Sequence, residues 1–306
     1  MHGFLATAAR HGRLVLVLGL AAGIALPGLA LAMRPWIGEM VAGLLFLAAL
    51  RVGPKQAVGA LGDLGASVGL AMLFQVVLPL AAIALFAVTG MTGAAIATFF
   101  VLMLAAAPVT GSPNLTIMSG NDPAPALRQI VVGTALLPLT VVPVFWLTPS
   151  FGRAGDVLAA AGGLMALIAL ATGAAFLLRA TVLKNPSERA VRSIDGVSAI
   201  AMAVVVIGLM SAVGPAMRET PLIFAGMLLL VCAVNFTIQI VVATLARRAG
   251  HDGRAAALGI VAGNRNVALF LTVLPAETVD PILLLIGCYQ IPMYLTPAVL
   301  GRFYRR

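Results

Sequence analysis

Long stretches without a charged side chain constrain this chain more than any other feature of its sequence. Seven of them are long enough to cross about 30 Å of hydrocarbon as a helix, and they occupy residues 14–33, 64–121, 129–152, 157–178, 196–217, 220–246 and 281–301. Hydrophobic residues make up 61% of the chain and charged residues 9%, against about 45–50% and about 25% in soluble domains. We therefore exclude a water-soluble globular protein and predict an all-α membrane protein.

Ten hydrophobic segments can be assigned to membrane-spanning helices. Turn residues mark many of the boundaries, for example at Arg34-Pro35, Asp122-Pro123 and Thr220-Pro221. The segments lie at roughly 14–33, 37–50, 66–88, 92–120, 126–147, 156–178, 196–214, 221–246, 254–275 and 278–301. Because the number is even, both ends of the chain should lie on one side of the membrane.

The distribution of Lys and Arg predicts which side that is, because positively charged flanks stay in the cytoplasm. Only Arg34, Arg153 and Arg218 fall on the side opposite the termini, Arg265 lies within a span, and the other 15 of the 19 basic residues share the side of the termini. We predict a multi-pass protein of the plasma (inner) membrane with both termini cytoplasmic. The net charge of +9 then reflects topology, and no nucleic-acid partner is expected. The first segment is longer than a usual signal core and is expected to stay as a span.

The residue types that carry most enzyme chemistry are not arranged for it. Cys232 and Cys288 lie in apolar stretches, and His2, His11 and His251 lie in end or loop segments without the spacing of metal ligands. Intramembrane proteases need paired aspartates, a Ser–His pair or His-Glu-x-x-His within their spans, and the sequence has none of these. We expect neither a metal site nor an enzymatic activity.

Two hydrophobic segments contain residues that should break a helix inside the membrane. The stretch 107–116 holds two prolines, a glycine and four polar side chains, and the stretch 261–268 holds a glycine, two asparagines and an arginine. These are the fourth segments of the two halves, 1–150 and 151–306. Matched breaks in two halves are typical of inverted-repeat transporters that bind substrate near the breaks. Asn114 and either Asn264 or Asn266 are the expected caps of the half-helices that follow.

These motifs resemble the bile acid:sodium symporter family and its wider superfamily. The resemblance rests on Ala107–Gly120 with Ala126–Val144, on Gly263-Asn264-Arg265-Asn266, and on Gln75 upstream of Leu78-Pro79. It implies ten helices in two inverted five-helix repeats, a panel domain, a core domain, and broken helices four and nine that cross. It also implies an organic anion such as a bile acid, carboxylate or sulfate as substrate, with two sodium ions behind the crossing. The lipid bilayer is the other expected partner, and the oligomeric state stays open.

The family's site residues transfer unevenly to this chain. Asn114 matches a sodium-binding asparagine, but Pro113 replaces the neighbouring serine and Ser112 lies one position earlier. In the fifth helix the family's serine and threonine fall on Arg128 and on Val132 or Thr134. In the ninth helix an acidic ligand falls on Val261 and a glutamine ligand on Arg265, whereas Gly263 and Asn266 match. The predicted binding region contains Gln75, Thr110, Ser112, Asn114, Arg128, Thr134, Gly263, Asn264, Arg265 and Asn266.

These replacements weaken the expectation of sodium binding. A hard cation inside a membrane needs several oxygen ligands and usually a carboxylate, and all ten acidic residues fall in loops or at the ends of spans. Arginine offers five donors and no acceptor. We therefore interpret Arg265, with Arg128 as a possible helper, as a built-in cation that donates to the free carbonyls of the broken helices. A sodium-coupled symporter with a remodelled site, a superfamily exporter and a ligand-binding membrane module remain the alternatives for function. For Arg265 itself, the alternatives are direct contact with an anionic substrate and a packing role in which the guanidinium extends to an aqueous cavity.

Overall fold

The computed structural model describes residues 2–151, 153–184 and 186–305, which are almost entirely helical and contain no strand. A π-helical turn occupies Leu73–Val77, and 3-10 turns occupy Arg34–Trp36, Ala60–Asp63, Pro149–Phe151, Val267–Thr272 and Asp280–Ile282. The α-helices are α1 (His2–Arg10), α2 (Gly12–Ala25), α3 (Pro27–Met33), α4 (Ile37–Gly59), α5 (Leu64–Met72), α6 (Leu78–Val88), α7 (Ala95–Ala105), α8 (Ser112–Met118), α9 (Ala124–Leu147), α10 (Ala154–Thr181), α11 (Glu188–Leu209), α12 (Val213–Glu219), α13 (Pro221–Arg248), α14 (Asp252–Gly263), α15 (Ala276–Val279), α16 (Leu283–Val299) and α17 (Gly301–Tyr304).

Seven helical runs among the described residues are long and apolar enough to cross a membrane. They are Pro27–Gly59, Leu64–Val88, Ala124–Leu147, Ala154–Thr181, Glu188–Leu209, Pro221–Arg248 and Ala276–Val299. Five of them coincide with the predicted third, fifth, sixth, eighth and tenth segments, and Glu188–Leu209 overlaps the predicted seventh segment, 196–214, but begins and ends earlier. The predicted fourth and ninth segments are not among the seven, because each is interrupted by a break. The multi-pass membrane architecture is therefore supported, and the full count of ten spans stays a prediction.

The predicted boundary between the first two segments is wrong. The sequence assigns 14–33 and 37–50 to separate spans, whereas the structure ends α2 at Ala25 and then runs helically from Pro27 to a kink at Gly53 (φ 69°), after which helical turns continue to Gly59. Pro27 starts a new helix because it has no N–H to donate to the preceding turn. Pro35 does not end the run, since it occupies an early position of a 3-10 turn, where a missing N–H costs little.

The chain folds into two compact units that alternate along the sequence. Unit 1 comprises the described residues within Met1–Val58 and Ala166–Ala225, and unit 2 comprises those within Gly59–Met165 and Gly226–Arg306. Each predicted half of the chain thus contributes residues to both units.

Small residues allow close helix packing inside unit 1. A Cβ atom at Gly19 of α2 would lie 2.6 Å from the carbonyl oxygen of Ala203 in α11, so only glycine permits this approach. Apolar helices in membranes commonly associate through such small residues. In the same unit, the Arg51 guanidinium of α4 donates to the Asp195 carboxylate of α11 at 2.6 Å.

Unit 2 has a core of buried aromatic and aliphatic side chains. Phe99 of α7 lies edge-on against Tyr289 of α16, with ring centroids 5.8 Å apart. Phe145 of α9 packs against Phe270, with ring centroids 5.4 Å apart. The interrupted helix α7 and the 3-10 turn after α14 are therefore fixed by side chains from α9 and α16, and both breaks lie inside this unit.

Candidate functional site

The predicted break in the fourth segment is present. Helix α7 ends at Ala105, the backbone is extended at Ala106 (φ −64°, ψ 152°), and α8 begins at Ser112. Pro108 cannot donate a hydrogen bond to the preceding turn, and Pro113 occupies an early position of α8, where proline is tolerated. The two prolines thus explain why the helix stops and where it resumes.

The predicted break in the ninth segment is present as well. Helix α14 ends at Gly263, Asn264 is extended (φ −108°, ψ 95°), and a 3-10 turn begins at Val267. Gly263 is packed tightly, because a Cβ atom there would lie 2.8 Å from the carbonyl oxygen of Asn235. Asn264 is completely buried and its side chain is bound by other helices, which holds the chain out of helical geometry.

The two breaks cross as an antiparallel backbone bridge between Pro108 and Arg265. The Val109 N–H donates to the Asn264 carbonyl at 2.9 Å, and the Asn266 N–H donates to the Ala107 carbonyl at 2.8 Å. Backbone groups released by helix breaks must find partners in a membrane interior. Here backbone groups of each break form hydrogen bonds with backbone groups of the other. The two interruptions therefore form one structural element, which we call the crossing.

Arg265 is the only charged residue that the described part of the chain buries, with an exposed fraction of 1%. Its Nη1 donates to the Val261 carbonyl at 3.2 Å and its Nη2 donates to the Leu104 carbonyl at 2.9 Å. The guanidinium carbon lies 5.6 Å from the centre of the Phe74 ring. Its Nε has no hydrogen-bond partner among the described residues. The side chain therefore joins the last turns of two half-helices, α7 and α14.

Both carbonyls are free because their usual partners are missing. In a continuous helix, the Leu104 carbonyl would accept from residue 108, but Pro108 has no N–H. The Val261 carbonyl would accept from the Arg265 N–H, but that N–H donates to the Tyr289 hydroxyl at 3.0 Å. Each helix C-terminus carries the equivalent of about −0.5 charge. The two termini together offset the single positive charge of the guanidinium.

Carboxylates do not contribute to this balance. All ten acidic residues lie in the described ranges and none of them is buried. A buried charge without compensation would cost several kcal/mol, so the two helix termini are what make a buried Arg265 tolerable. This arrangement agrees with the predicted absence of a membrane carboxylate at the crossing.

Neutral polar side chains from α13 and α16 support the ninth-segment break. The Asn235 amide donates to the Gly263 carbonyl at 2.6 Å and to the Asn264 side chain at 3.1 Å. Gln239 donates to Asn235 at 2.6 Å and to the Thr296 hydroxyl at 3.0 Å. Asn235 and Gln239 thus join α13 to the end of α14 and to α16. They also give nearly every buried polar group in this region a partner.

Three members of this network were missed by the sequence analysis. The Tyr289 hydroxyl donates to the Gly263 carbonyl and accepts from the Arg265 N–H, so it bridges the break. The Thr296 hydroxyl accepts from Gln239, and the Tyr304 hydroxyl donates to Gln239 at 2.9 Å. A tyrosine within an apolar segment is a sequence signal for such a bridging role, because a buried hydroxyl requires a hydrogen-bond partner.

Gln75 lies next to the crossing, as the resemblance implied. It is 1% exposed and belongs to the π-helical turn between α5 and α6. Its amide donates to the Gly133 carbonyl at 3.0 Å, and it accepts from the Thr140 hydroxyl at 2.8 Å. A Cβ atom at Gly133 would lie 2.7 Å from the Gln75 amide and 3.1 Å from the Pro108 ring. Gln75 thus contacts α9 at the level of the fourth-segment break.

The other predicted residues of the fourth segment contribute less. Ser112 is fully buried and its hydroxyl has no partner in the described ranges. Thr110 is half-buried, and Asn114 is exposed. The prediction that Asn114 caps α8 is wrong, because α8 begins two residues earlier and Gly111 occupies the cap position. Asn266 does occupy the cap position of the 3-10 turn, but its side chain makes no capping bond.

Arg128 does not lie beside Arg265. It lies near the start of α9 and lines a small pocket with Asp63, Ser67 and Arg254, where Arg254 donates to the Asp63 carboxylate at 2.9 Å. The expected help of Arg128 to the guanidinium at the crossing is therefore not seen. Thr134 is buried in the same helix, about two turns further on.

Comparison with known proteins gives no assignment. No family model matches the chain, and no curated protein matches it. The similarity to bile acid:sodium symporters therefore remains a prediction from the residues quoted above.

Proposed function

We propose that this chain is a secondary transporter of small organic anions, such as bile acid-like molecules, carboxylates or sulfates, that works by alternating access. The helical, apolar multi-pass architecture supports a membrane transporter. The contribution of each half, 1–150 and 151–306, to both compact units supports a pair of repeats. A plasma-membrane location with both termini cytoplasmic, inferred from the distribution of Lys and Arg, belongs to the same proposal.

One observation carries the proposal: two broken helices cross inside unit 2, and the Arg265 guanidinium donates to the C-terminal turn of each. Broken helices within membrane proteins are where transporters bind ions and substrates. In the family that the sequence resembles, sodium supplies positive charge behind this crossing. Here Arg265 supplies it, and because arginine does not deprotonate in proteins, the charge is permanent.

The mechanism follows from this replacement. In a sodium symporter the ion that supplies this charge binds and is released together with the substrate, so ion and substrate move together. In this chain the stabilising cation is part of the protein, and the broken helices keep their geometry whether sodium is present or not. Transport is then independent of a sodium gradient.

The first test measures the thermal unfolding of the detergent-purified protein in sodium, potassium and choline chloride at equal ionic strength. A ligand that binds only the folded state raises its stability. We expect equal unfolding temperatures in the three salts. A saturable rise that is specific to sodium would show that an ion site persists beside Arg265 and would overturn the proposed role of the guanidinium.

The second test measures uptake of taurocholate, 4-methylumbelliferyl sulfate and gluconate into proteoliposomes without sodium. We expect saturable uptake of at least one probe, and a loss of at least about tenfold in Arg265→Gln, corresponding to about 1.4 kcal/mol. Arg248→Gln is the matched control, because Arg248 is exposed at the end of α13, and it should transport normally. Saturable binding of a probe without flux would instead indicate a ligand-binding membrane module.

A double variant tests the same idea by gain of function. Val261→Glu with Arg265→Gln places a carboxylate and an amide at the positions of the family's ninth-helix ligands. Since Gln75 already lies beside the crossing, we expect this variant to acquire sodium-specific thermal stabilisation that wild type lacks. Equal stability of the double variant in sodium and choline would argue against an equivalence between the guanidinium and an ion.

A further inference from the structure

We infer that this transporter moves its anion without a coupling cation, so that each turnover carries one net negative charge and the membrane potential drives the anion outward. The inference rests on the proposed function and deepens it, because it assigns a driving force and a direction. The substrate class it names is a monovalent organic anion.

The first step is that the positive charge of the crossing cannot be released. Arg265 is part of the polypeptide, two residues after the end of α14. Its side chain is 1% exposed and donates to the carbonyls of Val261 and Leu104. Sodium can dissociate on the far side of a membrane and so contribute its gradient to each cycle. A guanidinium that stays in place returns with the protein, and it adds no charge to the net movement over a full cycle.

The second step is that the buried polar groups around the crossing are neutral. Gln75, Asn235, Gln239 and Asn264 are amides, and Tyr289 and Thr296 are hydroxyls that already act as hydrogen-bond partners. None of the ten acidic residues is buried, and the side chains of His11 and His251 are exposed. Proton carriers inside membranes are typically Asp, Glu or His. The crossing therefore holds no group suited to exchange a proton with each substrate.

The third step is the energetic consequence for the substrate. Moving one elementary charge across a membrane potential of 100 mV changes its free energy by about 2.3 kcal/mol. This corresponds to about a 50-fold concentration ratio at equilibrium. A membrane that is negative inside therefore expels a monovalent anion that crosses alone. Two sodium ions moving with one anion would reverse this direction. The exchange of sodium for a fixed arginine thus changes an uptake system into an efflux system.

The experiment uses the full chain in proteoliposomes with potassium and valinomycin to set the membrane potential. Taurocholate, 4-methylumbelliferyl sulfate and gluconate, each monovalent at neutral pH, are the probes. The final ratio of external to internal probe is measured, because an equilibrium ratio does not depend on how the protein is oriented. At −100 mV we expect about 50-fold more probe outside, and at 0 mV about equal concentrations. Gradients of sodium or pH at 0 mV should leave the ratio unchanged, and protein-free vesicles report leakage.

The other outcomes separate a failure of this inference from a failure of the proposed function. A ratio that follows the sodium or the pH gradient at 0 mV would overturn the inference and identify the coupling ion. Flux that requires anion on both sides and ignores the potential would overturn it in favour of electroneutral exchange, while the transporter assignment would stand. No protein-dependent flux of any probe would instead count against the proposed function itself.

Discussion

The two breaks that form the crossing are built in different ways. In the fourth segment, Pro108 and Pro113 interrupt the helix through backbone geometry, and the side chains of Thr110 and Asn114 stay half-buried or exposed. In the ninth segment, the backbone could form a continuous helix, since it contains no proline between α14 and Val267. There the break is maintained by hydrogen bonds from other helices.

This difference indicates where sequence changes alter function. A break made by prolines needs little from its neighbours and can keep its shape while other residues vary. A break made by Asn235, Tyr289 and the Arg265 side chain depends on several helices at once. The chemistry that distinguishes this chain from sodium symporters is concentrated in the second kind. We expect substitutions at the ninth-segment break to be more damaging than equivalent ones at the fourth.

Gly263→Ala should have the largest effect on stability. The added methyl group would lie 2.8 Å from the Asn235 carbonyl oxygen and also overlap Gln239, so α13 and α14 must move apart. Overpacking of this kind costs about 1–3 kcal/mol or more. The matched control is Gly253→Ala, near the start of the same helix, where a Cβ atom meets nothing within 4 Å. Thermal unfolding in detergent should show a large decrease for Gly263→Ala only, and equal decreases would contradict the packing argument.

Tyr289→Phe should have the second largest effect. The variant removes one hydroxyl that bridges the Gly263 carbonyl and the Arg265 N–H, and it leaves the buried N–H without that partner. An unsatisfied buried polar group costs about 1–3 kcal/mol. The Arg265 N–H could then return to the Val261 carbonyl and compete with the guanidinium, so sodium-independent transport should fall as well.

Tyr294→Phe is the control for Tyr289→Phe. Tyr294 belongs to the same helix, α16, but is only half-buried, and the described residues provide no hydrogen bond to its hydroxyl. Thermal unfolding and taurocholate flux should both stay close to wild type. If Tyr289→Phe were equally mild in both measurements, side-chain hydrogen bonds would not be what holds the ninth-segment break.

Apolar length and proline positions predicted much of this architecture. Charge-free stretches located six of the seven long helical runs, because a membrane-spanning helix requires about 20 apolar residues wherever it packs. The two breaks were also predicted, since Pro108 and Pro113 act locally and the polar stretch around Arg265 is conspicuous among apolar residues. The boundary at Arg34-Pro35 was misplaced because a proline early in a helical turn does not end the run.

Partners that are distant in sequence could not be predicted in the same way. Tyr289 lies 24 residues from Arg265, and apolar periodicity carries no information about which helices meet. Arg128 was predicted to help at the crossing because the family's fifth-helix serine falls on it, whereas the structure places it near Asp63 and Arg254. Asn114 was expected to cap α8, but the helix begins at Ser112 and leaves Asn114 exposed. A residue caps a helix only when it lies directly before the first helical residue. A shift of the helix start by one residue therefore removes the capping contact.

A pair of asparagines compares the two breaks directly, and its exposed member, Asn114, should give the smallest effect of all. Asn264 is fully buried and bound by Asn235 and Thr296, so Asn264→Ala should cost about 1–3 kcal/mol. Asn114 is exposed in α8, so Asn114→Ala should change stability by less than about 0.5 kcal/mol. Thermal unfolding of both variants in sodium and in choline chloride measures the difference. If Asn114→Ala removed a stabilisation seen only in sodium, the fourth-segment break would retain an ion ligand, and the fixed guanidinium would not account for the crossing alone.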